Sequence, residues 1–112
     1  MRDDRERLAH ILEAIGKIED YAERGRDAFT QDELLQVWCV HHIGIIGEAA
    51  RNLSPALREQ HPEIPWNDIV GMRNILVHEY FGVDLDEVWD TIESDLPDLK
   101  VKMESILKKL GE

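Results

Sequence analysis

A chain of 112 residues with 24 Asp and Glu against 13 Lys and Arg, a net charge of −11, is sized for one domain, residues 1–112, that needs no staple to fold. The acidity repels phosphate at long range, which excludes a strong non-specific nucleic-acid binder and leaves DNA unexpected as a partner; any nucleic acid would have to be held locally. The single cysteine, Cys39, excludes an intramolecular disulfide. No charged-then-apolar leader opens the chain and no apolar run approaches the ~20 residues of a bilayer span, so a cytoplasmic protein without membrane contact is expected.

Helical spacing runs through the chain, and nothing alternates in twos for long enough to suggest a strand. Leu8, Ile11, Leu12, Ile15 and Ile18 mark a first helix, extended by Tyr21 and broken at Gly25. Thr30 followed by Glu33 reads as a capping box that opens the second helix. That helix carries Leu34, Leu35, Val37, Trp38, Val40, Ile43, Ile45, Ile46, Ala49, Ala50 and Leu53, more than one stripe can hold. A helix apolar on two sides should bury two sides, and in so small a bundle the second side fits another copy of the chain.

The stretch NLSPALREQHPEIPW is a connector in which Ser54 caps a short helix beginning at Pro55, while Pro62 and Pro65 rule out its continuation. A third long helix runs from about Pro65 to a stop at Gly82, and Asp84 with Glu87 repeats the capping pattern ahead of a last helix through Leu110. Pro97 sits inside that pattern and predicts a kink or brief break near Asp95. The expected architecture is all-α, an antiparallel four-helix bundle with a short connecting helix, assembled as a twofold homodimer.

Within GMRNILVHEYFG, residues 71–82, Arg73, Asn74, His78 and Tyr80 interrupt an otherwise apolar run. Polar groups there are costly unless they are paired or employed. Asn74 and His78 lie one helical turn apart on nearly the same face. Arg73 and His78, five residues apart, are ~140° apart on a regular helix and ~7.5 Å apart along its axis. Convergence on one ligand then needs the long arginine stem, a distorted helix end, or a site shared between protomers. The pair suits metal-free phosphodiester cleavage, with histidine moving a proton and the guanidinium holding charge on the phosphoryl oxygens. Spacing alone favours an Arg ion pair with a neighbouring acid and a satisfied core histidine over catalysis, and a tyrosine near a helix end usually packs its ring and wets its hydroxyl.

Other polar residues are weaker candidates. His41 and His42 are adjacent and point ~100° apart, a poor pair for one metal, and His78-Glu79 lacks the second histidine of H-E-x-x-H. Glu48, in IIGEAA, sits among small and apolar residues and fits a buried acid pairing with Arg73. No metal site, glycine-rich phosphate loop or Ser-His-Asp pattern is visible, and no cofactor is implied.

MRNILVHEYFGVD resembles the signature of HepT-like proteins, a branch of the HEPN superfamily: Arg, four residues, His, any residue, Tyr. Arg73, His78 and Tyr80 match it, and Asn74 is the polar residue that follows the arginine. The likeness extends to IIGEAA, HPEIPWNDIVG, DLDEVW and DLPDLK, from about Leu34 to Leu110. It implies a metal-independent ribonuclease that serves as the toxin of a type VII-like toxin–antitoxin pair. Arg73 and His78 would be its catalytic pair, with Asn74 and Glu48 in support, and a dimer would bring two motifs to one cleft. It also implies a nucleotidyltransferase antitoxin, and Tyr80 matches the tyrosine that some HepT-like toxins present for AMPylation. The other reading is a non-catalytic HEPN module that binds nucleotide or accompanies a nucleotidyltransferase. The intact Arg73 and His78 favour the first and the charge of −11 the second.

Overall fold

A computed structural model describes residues 2–71 and 85–111. Every regular element among the described residues is helical: α1 (Arg2–Ala22), α2 (Arg26–Gln31), α3 (Glu33–Arg51), α4 (Pro55–Gln60), α5 (described over 66–71), α6 (Leu85–Asp90), a π-helical turn (Thr91–Asp95) and α7 (Leu96–Gly111). Of the expected bundle, the first helix, the second, the short connector and the last are present. The third opens at residue 66 and is described as far as Gly71.

The core forms around α1, which packs against both α3 and α7. Leu8, Ile11, Ile15 and Ile18 recur every three or four residues, so one stripe of α1 enters the core, and none is more than 1 % exposed. Ile43 and Ile46 from α3 and Leu96, Met103 and Ile106 from α7 fill the space around that stripe. Polar links set the ends: Arg5 donates to the Leu110 carbonyl (2.6 Å), and Lys100 Nζ meets the Glu19 carboxylate at 3.2 Å.

Gly25 breaks the first helix as expected, at φ +91°, where a side chain would be strained. The expected capping box does not form. Thr30 lies inside α2, where its hydroxyl donates to the Arg26 carbonyl (2.9 Å), and Asp32 caps α3 instead, its Oδ1 accepting from Leu34 N (3.0 Å) and Leu35 N (3.2 Å). The chain between the two long helices is therefore a helical turn. It puts Phe29 into the core against Trp89, with ring centroids 5.4 Å apart. Gln36 Nε2 then donates to the Phe29 and Thr30 carbonyls, both at 3.0 Å, and closes the end of α2.

Pro97 produces a distortion where one is expected, and the helix continues through it. The Leu96 N–H donates to the Thr91 carbonyl, five residues back. This wide turn lies just before the residue that has no N–H to give, so the ladder is already out of α register where the proline ring enters it. Asp84 lies outside the described residues; Glu87 sits in the first turn of α6.

Ser54 and Pro55 open α4 as expected, the Ser54 hydroxyl accepting from Leu57 N (3.2 Å). A buried carboxylate the sequence did not flag completes this corner. Asp4, 3 % exposed, accepts from Ser54 N at 2.8 Å and Ser54 Oγ at 2.6 Å. The acid thus fixes the start of α1 to the α3–α4 corner. Asp4→Ala should cost about 2–3 kcal/mol, because it leaves the part-buried Ser54 N–H without its acceptor as well as removing two charge-assisted bonds. Ser54→Ala, which removes the cap and one of those bonds, should cost about 1–2 kcal/mol. Urea unfolding followed by circular dichroism checks both, and equal midpoints for Asp4→Ala and the parent would contradict this role.

Candidate functional site

Arg73, Asn74, His78 and Tyr80, and with them the expected stop at Gly82, lie outside the described residues. The structure describes the frame on either side: the opening of α5, the face of α3 that carries Glu48, and the start of α6.

The opening of α5 is tightly specified. Pro65 begins the turn, Ile69 N donates to its carbonyl (3.1 Å), and Trp66 N donates to the Ile64 carbonyl at 2.8 Å. The Trp66 indole N–H reaches back to the His61 carbonyl (3.0 Å), and Ile64, Trp66 and Ile69 are all buried. HPEIPW therefore anchors the opening of α5, seven residues before Arg73 in the sequence. A cleft of about 160 Å³ beside this opening is lined by Asp68, Asp95, Asp98 and Lys102 among others. Lys102 is held by Asp98 at 3.0 Å. That wall of carboxylates is unsuited to a phosphodiester.

α3 presents different chemistry on different sides. Cys39, Ile43 and Ile46 enter the core. Glu48 is half-buried, and Asn52 Nδ2 donates to its Oε1 at 3.3 Å and to its backbone carbonyl at 2.9 Å. Arg73, the partner expected for it, lies outside the described residues. The two adjacent histidines separate as their spacing predicts, with His41 exposed and His42 buried. His42 Nδ1 lies 2.8 Å from the Trp38 carbonyl, which assigns its proton to that nitrogen. The sequence reading missed the tie that holds Trp38, whose indole N–H donates to the Lys17 carbonyl across α1 at 3.1 Å. An exposed-face tryptophan one turn before a histidine was the available signal.

Comparison with known proteins places the chain. The family described as "Ribonuclease HepT-like" matches residues 11–106. The chain belongs to the HepT-like ribonuclease family. A protein of Thermococcus cleftensis named "Probable ribonuclease HepT" is 39% identical over 108 residues, covering 96% of this chain and 98% of its own length. "Putative RNase TTE0752" of Caldanaerobacter subterraneus subsp. tengcongensis is 39% identical over 113 residues, 97% of this chain and 98% of that protein. "Gamma-glutamylcyclotransferase and putative RNase MJ0434" of Methanocaldococcus jannaschii is 41% identical over 106 residues; the match takes 94% of this chain but spans only 48% of that longer protein. No solved structure matches. No helix among the described residues is long and apolar enough to cross a membrane.

Cys39 offers no rival nucleophile in this HepT-like domain. It is fully buried, and burial pushes its thiol up to about 11. Because the folded state holds the proton more tightly than the unfolded thiol near 9.0, its contribution to stability is complete below pH 9 and is lost as pH rises through 11. A thiol reagent at pH 8 should label none of the native protein and one equivalent in denaturant. Full labelling of the folded protein would contradict the burial.

Proposed function

We propose that this HepT-like protein is a metal-independent endoribonuclease, the toxin of a toxin–antitoxin pair, working as a twofold dimer. The observation that carries the reading is family membership across residues 11–106 together with Arg73, His78 and Tyr80 at the signature spacing. In this chemistry His78 accepts the proton of a ribose 2′-hydroxyl, whose oxygen attacks the adjacent phosphorus. The bond to the 5′-oxygen breaks, the imidazolium so formed on His78 returns its proton to that oxygen, and the other fragment keeps a 2′,3′-cyclic phosphate. Arg73 neutralises the charge that builds on the phosphoryl oxygens, Asn74, four residues before His78 in the sequence, orients the ribose or phosphate, and Glu48 orients Arg73. Two Arg73 side chains at one cleft would supply locally the positive potential that a chain of net charge −11 lacks overall.

Silencing is proposed to act at Tyr80. A partner nucleotidyltransferase would direct the phenolic oxygen onto the α-phosphate of ATP, with pyrophosphate leaving, so that the tyrosine carries AMP. The new phosphodiester adds a full negative charge two residues from His78 and repels an RNA phosphate. The net charge favours a second reading, a non-catalytic module that binds nucleotide or accompanies such an enzyme.

Activity separates the two. Purified protein should cleave RNA in EDTA and leave cyclic phosphate or 3′-phosphate ends, and His78→Ala or Arg73→Ala should each lower the rate by about 10²–10⁴. Cleavage that disappears with chelator and returns with Mg²⁺ would point to metal-activated water instead, and no cleavage by the parent protein would favour the accessory module. With the partner and ATP, intact mass should rise by AMP units in the parent and not in Tyr80→Phe. An equal rise in both would exclude Tyr80 as the acceptor.

A further inference from the structure

Two polar links gather one end of the molecule. Asp4 holds the start of α1 to Ser54 at the α3–α4 corner, and Arg5 holds it to the Leu110 carbonyl in the last turn of α7. Five further cations lie within four residues of these contacts in the sequence: Arg7 on α1, Arg51 in the last turn of α3, Arg58 on α4, and Lys108 and Lys109 in the last turn of α7. The described cations divide by what holds them. Away from this end Lys17, Arg26, Lys100 and Lys102 are each paired with a carboxylate, and Arg24 lies over the Tyr21 ring. Among the described residues, no ion pair or hydrogen bond holds the five at this end. Arg7 Nε is buried and meets no acceptor, a cost that a bound anion would remove.

A helix dipole favours a cation in any last turn. Yet α1, which finishes at the opposite end, has none there, while α3 and α7, which both finish here, do. The dipole also gives no reason for Arg7, near the positive end of α1. The carboxylates nearby are Asp3, Asp4, Glu6, Glu59 and Glu104, of which Asp4 is already committed to Ser54. Six described cations against these five acids leave this end close to neutral, so the charge of −11 falls on the rest of the chain.

We propose that the end where α1 starts and α3 and α7 finish is a docking surface for the sugar–phosphate backbone of the RNA substrate, beyond the bond to be cut. With the charge divided in this way a polyanion is turned from the acidic end and approaches by this one. Unpaired guanidinium forks take phosphate oxygens two at a time, and no existing salt bridge has to break first. Arg51 lies one turn beyond Glu48 on α3, the residue set beside Arg73 in the ribonuclease reading, so the surface adjoins the site in that reading. The identity of the polyanion rests on the ribonuclease reading; the surface rests on the unpaired cations.

The test compares two variants that each lose three positive charges. Arg58→Gln/Lys108→Gln/Lys109→Gln strips the surface, and Lys17→Gln/Arg24→Gln/Lys102→Gln removes cations elsewhere. A labelled single-stranded RNA in EDTA is titrated by fluorescence anisotropy, on a His78→Ala background that keeps the strand intact. The first variant should bind about tenfold more weakly and lower the slope of log affinity against log salt by about 2, while the second stays within about twofold of the parent. Lys108→Gln/Lys109→Gln alone, at two exposed positions that packing does not use, should lower the slope by about 1.4. Equal weakening in both triple variants would reduce the effect to net charge and overturn the proposal. So would unchanged binding by the first variant, or an end that takes anionic vesicles and not RNA. In each of those cases RNA cleavage by the parent protein would leave the ribonuclease standing. Weakened binding in the first variant alone, with no cleavage by the parent, would keep the docking surface and remove the ribonuclease.

Discussion

The placement of α1 is the constraint on which the rest of the described fold depends. Its one apolar stripe, Leu8 to Ile18, is the common surface for α3 and α7, so a slip of α1 along its axis would unseat both partners at once. Burial alone tolerates such slips, because one isoleucine can replace another in a hole of similar size. The polar links do not. Asp4 must meet both the N–H and the hydroxyl of Ser54, Arg5 the last turn of α7, and Glu19 the ammonium of Lys100. Together they pin both ends of α1, and the bond between Asp4 and Ser54 carries that register on to α4 and the connector before α5.

Much of this was legible in the sequence because helical periodicity reports directly which face is buried. The stripes of α1 and α7, the break at Gly25, the Ser54–Pro55 start and a distortion ahead of Pro97 all follow from local rules whose causes lie within one or two turns. The errors came where two local rules competed. Thr30 and Glu33 have capping-box spacing, but Asp32 offers a carboxylate two residues closer to Leu34 and Leu35 and takes both donors. Thr30 is then free to lie inside a helix that buries Phe29. Asp4 was illegible for another reason. Its partner is fifty residues away, and an acid in the first turn of a helix is expected at the surface on dipole grounds alone.

The candidate site was legible in a different sense. Arg73, His78 and Tyr80 are informative as a pattern, and spacing alone left them open between catalysis and packing. What the fold adds is a division of labour along α3 and α5. Cys39 and Ile46 keep α3 in the core while Glu48 stands half-buried on another side, and the buried Trp66 and Ile69 anchor the opening of α5. The segments that flank the motif in sequence, the opening of α5 and the start of α6, are each held by buried side chains, Trp66 and Ile69 on one side and Val88 and Trp89 on the other.

The charge on the described surface bears on how an acidic protein would handle the polyanion of the proposed reading. Among the described residues, carboxylates crowd the start of the last helix, with Asp86, Glu87, Asp90, Glu93, Asp95 and Asp98 all exposed; Arg26 holds Asp86 at 2.7 Å and Lys102 holds Asp98 at 3.0 Å. Such a surface turns phosphate away by repulsion that salt screens beyond about 10 Å. A site built on arginine in a partly desolvated cleft gains strength from the same low dielectric that makes an unpaired charge costly. The general repulsion and the local attraction therefore act on different length scales. On the proposed ribonuclease reading, a polyanion would meet the first on approach and the second only where it brought a phosphodiester to Arg73, so the acidic surface would restrict which RNA conformations arrive without opposing the chemistry once one had.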